Sequence, residues 1–471
     1  MRLAGTAGIV AVGGLRRQLR SRVRAFARSA FRVPGSGFRV GFGRPVRVTL
    51  RGVPAAATGE RANALTRERA NALTLGLASL GFVSLGLPDG MLGVAWPSIR
   101  ATFGLPLDAL GLLLATFATG YFVSSAVSGR VLSRFGIGTV LSASCAMTAT
   151  ALLGYALSPA WLGMVALGSV LGIGAGTIDA GLNTYAAVAH GARALNWMHA
   201  AFGVGAAIGP LVMTAILGAG LSWSLGYVVV ALVQLGLAAG FVVTRERYVQ
   251  SQPSSASASE HGGSARGLLR NPLAWISLGL FFVYVGLEAG AGQWSFSLFT
   301  LSRGAPVAVA GVLVSAYWAC MTVGRVLFGA LVGHVSSEQL LRPCMVIAIV
   351  AAGVIWLNVP LLSWVALGIL GLVFAPIFPV LIAETPARLG AGQTANAVGL
   401  QIAAAVAGGA GIPAAIGLLA ARTSLEVVGP CLLCVGLVQL ALYELLIRRV
   451  FERPRSGRSR SSEVATVPPG A

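Results

Sequence analysis

Long apolar stretches run from residue 72 to residue 447, and polar positions fall in short clusters between them. This is neither the period of two of a half-buried strand nor the narrow stripe of a surface helix. Each stretch is long enough to cross about 30 Å of hydrocarbon as a helix, the one open-chain form that satisfies its own backbone there. The pattern predicts twelve spans, at 72–95, 108–130, 139–158, 161–187, 196–218, 222–243, 273–299, 307–330, 341–358, 362–384, 393–420 and 427–447. The longest internal polar segment, Thr244–Asn271, divides them six and six. The expected fold is an all-α polytopic membrane protein with two pseudo-symmetric six-helix bundles, 71–243 and 272–449. A linker over 244–271 joins them.

Composition agrees. Of 471 residues, 56% are hydrophobic and only 10% charged, against about 25% charged in soluble domains. The mean hydropathy is +0.81. The net charge of +20 suggests nucleic acid at first, but its placement argues otherwise. Arg is concentrated in the tails and loops, and no span carries a basic face, so no nucleic-acid partner is expected. Residues 1–70 hold fifteen Arg and no acid before Glu60. They read as a disordered cytoplasmic tail, or as a misassigned upstream start; residues 450–471 read as a second tail. The five Cys do not form a disulfide or metal-binding pattern, and Cys431 and Cys434 sit inside an apolar helix.

Orientation follows from the Arg bias. Arg130, Arg134, Arg193, Arg245, Arg247, Arg266, Arg270, Arg325 and Arg388 fall on one side, with Arg448, Arg449 and Arg453. The other side carries little beyond Arg100, Arg303 and Arg422. Basic loops mark the cytoplasm, which puts both termini inside a cell inner (plasma) membrane. The halves also echo each other. GRVL occurs at 129–132 and again at 324–327, near the ends of spans two and eight. GVGAAIGP (Gly203–Pro210) and AGGAGIP (Ala407–Pro413) occur in spans five and eleven.

Within this apolar frame a few polar groups stand out. Only fourteen acids exist, and three of them, Asp89, Asp179 and Glu288, fall at membrane depth, away from the span ends. An ionisable group at that depth is expensive unless it pairs, lines a cavity or is neutral. Such a carboxyl can bind and release a proton as access alternates, so Asp179, Asp89 and Glu288 are candidate proton-coupling groups. Asp179 and Asn183 are four apart and share a helix face. Asp89 lies in GLPDG, where Pro88 and Gly90 suggest a broken helix. Gln293 and Trp294 follow Glu288 closely, and the indole offers a flat face with an N–H donor. Tyr317 and Gln401 complete the candidate cavity set. The candidate gate holds Asn196 and His199 at the start of span five, Gly205, Gly209 and Pro210 within it, and Arg130, Arg134 and Arg325.

At GLPDG, IDAGLN, LNWMH-x-x-FGVG-x-x-IGP, YVGLEAGAGQW, Tyr317–Arg325 and APIFP the chain resembles the major facilitator superfamily. More narrowly, it resembles the fucose-permease-like sugar:proton symporters. The resemblance covers 72–449. It implies that Asp89 stands for a first-helix acid implicated in binding, and Asp179 for a fourth-helix carboxylate implicated in proton coupling. Asn183 matches a fourth-helix Asn. The family's loop pattern Gly-x-x-x-Asp-Arg-x-Gly keeps Gly129, Arg134 and Gly136, but Ser133 replaces the Asp.

The expected function is alternating-access transport of a small polar solute such as a sugar, coupled to protons and needing no cofactor or metal. A monomer in the bilayer suffices. The alternative is a proton-antiport exporter of amphiphilic compounds. No Ser–His–Asp set, phosphate-cradling loop or H-E-x-x-H motif points to an enzyme.

Overall fold

The computed structural model describes residues 55–189, 191–251, 265–331 and 334–451. Twelve of its helices are long and apolar enough to cross a membrane, from Ala72–Phe103 to Leu425–Val450. In chain order the helices are α1 (Ala55–Phe103), α2 (Ala109–Phe135), α3 (Ile137–Leu157), α4 (Trp161–Ala189), α5 (Gly191–Gly218) and α6 (Ser224–Thr244). The second set is α7 (Pro272–Ser297), α8 (Val307–Leu331), α9 (Ser337–Trp356), α10 (Leu362–Phe374), α11 (Thr394–Arg422) and α12 (Val428–Phe451). A short helix, Ile377–Ala383, continues α10 beyond a break at Ala375–Pro376. Of the tail expected to be disordered over 1–70, residues 55–70 are helical and run straight into the first span. Residues 1–54, 252–264 of the linker and 452–471 lie outside the described residues, and the rest of the linker holds two short helices, Arg245–Ser251 and Ala265–Leu269.

Helix starts follow local chemistry. Asn271 caps α7, its side chain accepting from the Leu273 N–H at 3.1 Å, and Pro272 fills the first turn where no N–H is needed. Ser336 and Gln339 form a reciprocal capping box at the start of α9. α1 runs unbroken through GLPDG, so the interruption expected at Pro88–Gly90 does not form. Its glycines serve packing instead. A Cβ added at Gly86 or Gly90 would overlap the backbone of Phe202 or Ala206 on α5.

The two halves repeat this device. A Cβ at Gly205 on α5 would overlap the Val83 carbonyl of α1, and one at Gly408 on α11 would overlap the Phe282 carbonyl of α7. Aligning Pro210 with Pro413 places these two glycines at the same position, so the echo read from the sequence is a shared helix crossing. Small residues let backbones touch where no hydrophobic force drives helices together. α2 meets α4 through Gly120 and Gly172, and α8 meets α10 through Gly371.

The bundles meet each other along three lines. Ser315 on α8 donates to the Ala207 carbonyl on α5 at 2.7 Å, and Gly311 sits against Thr214. A Cβ on Gly111 of α2 would lie 2.7 Å from Ala414 of α11. One on Gly93 of α1 would lie 2.8 Å from the Gln293 carbonyl of α7. The last two contacts lie beyond Asp89, toward the end opposite residues 72 and 450, and seal that end between the halves.

Candidate functional site

Polar side chains from both bundles converge in the middle of the helices. On the first bundle, Tyr121 of α2 donates to Asp179 Oδ2 of α4 at 2.8 Å. Asn183, one turn on, also hydrogen-bonds Asp179. Its Oδ1 is buried without a partner. The shared face inferred from the spacing of four is therefore a hydrogen-bonded pair with a third member, Tyr121. Asp89 on α1 is exposed in the interior and close enough to Tyr121 and Glu288 to exert its charge on them.

On the second bundle, Glu288 Oε1 lies 3.9 Å from Arg325 Nη2, with 13% and 22% of their side chains exposed. Arg325 also approaches the Met321 sulfur at 3.6 Å. Tyr317 donates to the Glu288 carbonyl at 2.8 Å. Tyr284 donates to the Phe374 carbonyl at 2.8 Å, where α10 breaks, and lies within hydrogen-bond reach of the Glu288 carboxyl.

Several expected residues are placed elsewhere. Arg325 was expected at the gate with Arg130, from the shared GRVL. Arg130 is exposed at the end of α2, whereas Arg325 lies inside against Glu288. Arg388, expected in a loop, is 7% exposed beside Glu384. Trp294 is fully buried and its Nε1 donates to the Pro413 carbonyl at 2.9 Å, so its indole braces the α7–α11 crossing rather than offering a stacking face. Gln401 is buried between Ser277, at 2.7 Å, and Thr385, at 3.0 Å, and ties α7 to α11. Gln293 donates to the Asp89 carbonyl at 3.3 Å and belongs to the far-end seal.

The remaining gate residues divide. His199 on α5 packs its ring against Phe82 of α1, centroids 5.2 Å apart. Gly205 and Gly209 press on α1 at Val83 and Leu87. Pro210 lies in α5 without ending it. Arg134 lies over the Phe135 ring at 5.5 Å. The Asn196 side chain is outside the described residues. Tyr121, Tyr284 and Arg325 are the contributors that sequence reasoning missed or misplaced.

Among the described residues no group of three or more His, Cys, Asp or Glu is arranged to hold a metal ion. The site is a set of carboxyls and phenols with one cation. It can exchange protons and hydrogen-bond a polar solute.

Comparison with known proteins agrees with this architecture. The glucose/mannose transporter GlcP of Bacillus subtilis (strain 168) is 21% identical over 308 residues, covering 64% of this chain and 76% of that protein. The crystal structure of the nucleoside transporter NupG aligns with a TM-score of 0.66 at 14% identity, covering 79% of this chain and 99% of that one. The D-xylose-proton symporter structure aligns at 0.63 and 15% identity, covering 78% and 96%. The model of the Major Facilitator Superfamily matches residues 78–456. With twelve spanning helices in two bundles and a polar centre between them, this chain belongs to the Major Facilitator Superfamily of secondary transporters.

Proposed function

We propose that the protein is a proton-coupled carrier of a small polar solute, with a hydroxyl-rich molecule such as a sugar as cargo. The observation that carries the reading is the Tyr121–Asp179–Asn183 cluster. It is a carboxyl inside a span with two hydrogen-bond partners, and among the described residues no cation pairs with it. A charged carboxylate there is costly, and a proton or a cargo hydroxyl removes the cost. Asp89 supplies a second acceptor from the same wall. The Glu288–Arg325 pair supplies a charged wall opposite.

The fucose-permease-like resemblance supports this assignment through Asp89, Asp179 and Asn183. The similarity to GlcP, a glucose/mannose transporter by name, points to the same cargo class. The exposed Arg130, Arg134, Arg245, Arg247, Arg270 and Arg448 sit at the ends of helices on the side of residues 72 and 450. That supports cytoplasmic termini in a plasma or inner membrane. In this orientation the contacts beyond Asp89 close the outer side, as in a cytoplasm-facing stage of alternating access.

Counterflow in proteoliposomes tests the proposal, with labelled sugars, amines and amphiphilic cations at two imposed proton gradients. Sugar counterflow, together with gradient-driven uptake that Asp179→Asn abolishes, is expected. Movement of amphiphilic cations alone, or uptake indifferent to both the gradient and Asp179→Asn, would overturn it.

A further inference from the structure

A cavity beside Asp89 is lined by residues of the first bundle alone. Its volume is about 60 Å³. Five helices line it: Asp89 from α1, Phe117 from α2, Thr148 and Tyr155 from α3, Leu171 from α4, and Gln234 and Tyr227 from α6. The walls are mostly apolar. Two polar atoms on α6 break that rule. Gln234 and Tyr227 are each 1% exposed, and Gln234 Oε1 and the Tyr227 hydroxyl have no hydrogen-bond partner. Leaving such groups unpaired costs about 1–3 kcal/mol each. Tyr155 and Tyr227 meet edge to face with ring centroids 5.5 Å apart. The Thr148 hydroxyl donates to its own helix at the Cys145 carbonyl, at 2.9 Å.

We propose that this chamber is a side pocket of the transport site that takes a hydroxymethyl-sized, hydroxyl-bearing arm of the cargo. The proposal rests on the polar-solute reading above. Asp89 is both exposed in the interior and part of the chamber lining, so it joins the two spaces. The apolar wall suits a methylene, and the α6 wall offers Gln234 Oε1 as an acceptor and the Tyr227 hydroxyl as a second hydrogen-bonding group for the hydroxyl. The volume matches about two water-sized groups, and an apolar pocket with a few convergent polar groups is the usual form of a small-molecule site.

The chain contains its own control. LVQL occurs at 232–235 in α6 and again at 437–440 in α12. Gln439 is likewise 1% exposed with an unpaired amide nitrogen. It does not line the chamber. A general packing role for a buried Gln applies to both positions, whereas the side pocket requires only Gln234.

The experiment uses the full chain in proteoliposomes and three sugar pairs that differ by one hydroxymethyl group: D-glucose and D-xylose, D-galactose and L-arabinose, D-mannose and D-lyxose. Counterflow is measured for the wild type, Gln234→Leu, Tyr227→Phe and Gln439→Leu. The expected result is a preference of at least about tenfold for one hexose over its pentose. Gln234→Leu and Tyr227→Phe shrink that ratio to about threefold or less, and Gln439→Leu leaves it unchanged. Sugar counterflow with a ratio that neither α6 variant alters overturns the side pocket alone and leaves water as its occupant. A ratio that Gln439→Leu shrinks equally also overturns it. Counterflow of none of the six sugars overturns the polar-solute reading and the side pocket with it. Tyr227→Phe removes one oxygen only, so it reports even if Gln234→Leu does not fold.

Discussion

The Tyr121 hydroxyl donates to Asp179 across the α2–α4 contact at 2.8 Å, so the fourth-span carboxyl is held by its neighbour as well as by Asn183 on its own helix. Asp179→Asn keeps the shape and removes the exchangeable charge. Uptake driven by a proton gradient is expected to fall at least about a hundredfold, the scale of losing a proton-transfer group. Exchange of labelled for unlabelled cargo persists, because it needs no net proton movement. Tyr121→Phe is expected to cost about 1 kcal/mol in the bond to Asp179 and to lower the uptake rate several-fold. Equal loss of exchange and uptake in Asp179→Asn would assign the residue to packing.

Glu288 and Arg325 are each other's main charge partners, and both are mostly buried. Removing one leaves the other uncompensated, which costs about 3–5 kcal/mol at a fully buried pair. Their 3.9 Å separation and partial exposure reduce that here to about 2 kcal/mol. Glu288→Gln and Arg325→Met are each expected to lower the thermal unfolding midpoint. The double variant recovers part of the loss. A thermal-unfolding double-mutant cycle with purely additive effects would show that the two charges do not interact.

Gly205 and Gly408 occupy matched crossings with no room for a Cβ. Gly205→Ala and Gly408→Ala must push α1 or α7 aside, at a cost of about 1–3 kcal/mol, with a parallel fall in transport. Gly129→Ala meets open space and is expected to be silent. Equal thermal shifts for all three variants would remove the crossing argument.

At the far end of the second bundle, Arg303 grips Glu426 with Nε and Nη2, at 3.0 and 2.6 Å, and also donates to the Ile355 carbonyl at 2.7 Å. One side chain thereby ties the segment after α7 to the ends of α9 and α12. Arg303→Met is expected to destabilise by about 1–3 kcal/mol, the range for hydrogen bonds to charged groups. The KM for cargo stays unchanged. A KM shift without a stability change would place Arg303 in the cargo path.

Much of the fold was legible because lipid imposes one rule on every span, and an apolar run of sufficient length satisfies it. The Pro210 and Pro413 echo was legible for a related reason: close backbone contact demands small residues at fixed places. The site was harder to read. Asp179 and Asn183 were visible because ionisable and amide groups are rare in spans. Tyr121 was not, since a phenol in a span looks like packing until its partner is known. GRVL misled at Arg325, because a four-residue repeat fixes a helix position and not what a neighbouring helix, here α7 with Glu288, places beside it. Trp294 misled because a flat ring with one N–H fits a helix crossing as well as a cavity. The LVQL repeat was available all along as a signal for Gln234, but a single amide among apolar letters draws little notice.

The divergence of the two GRVL segments makes the bundles electrostatically unlike despite their shared helix plan. Arg130 is exposed at the end of α2, whereas Arg325 lies beside Glu288, so the first-bundle wall carries Asp89 and Asp179 and the second carries a carboxyl with its own guanidinium.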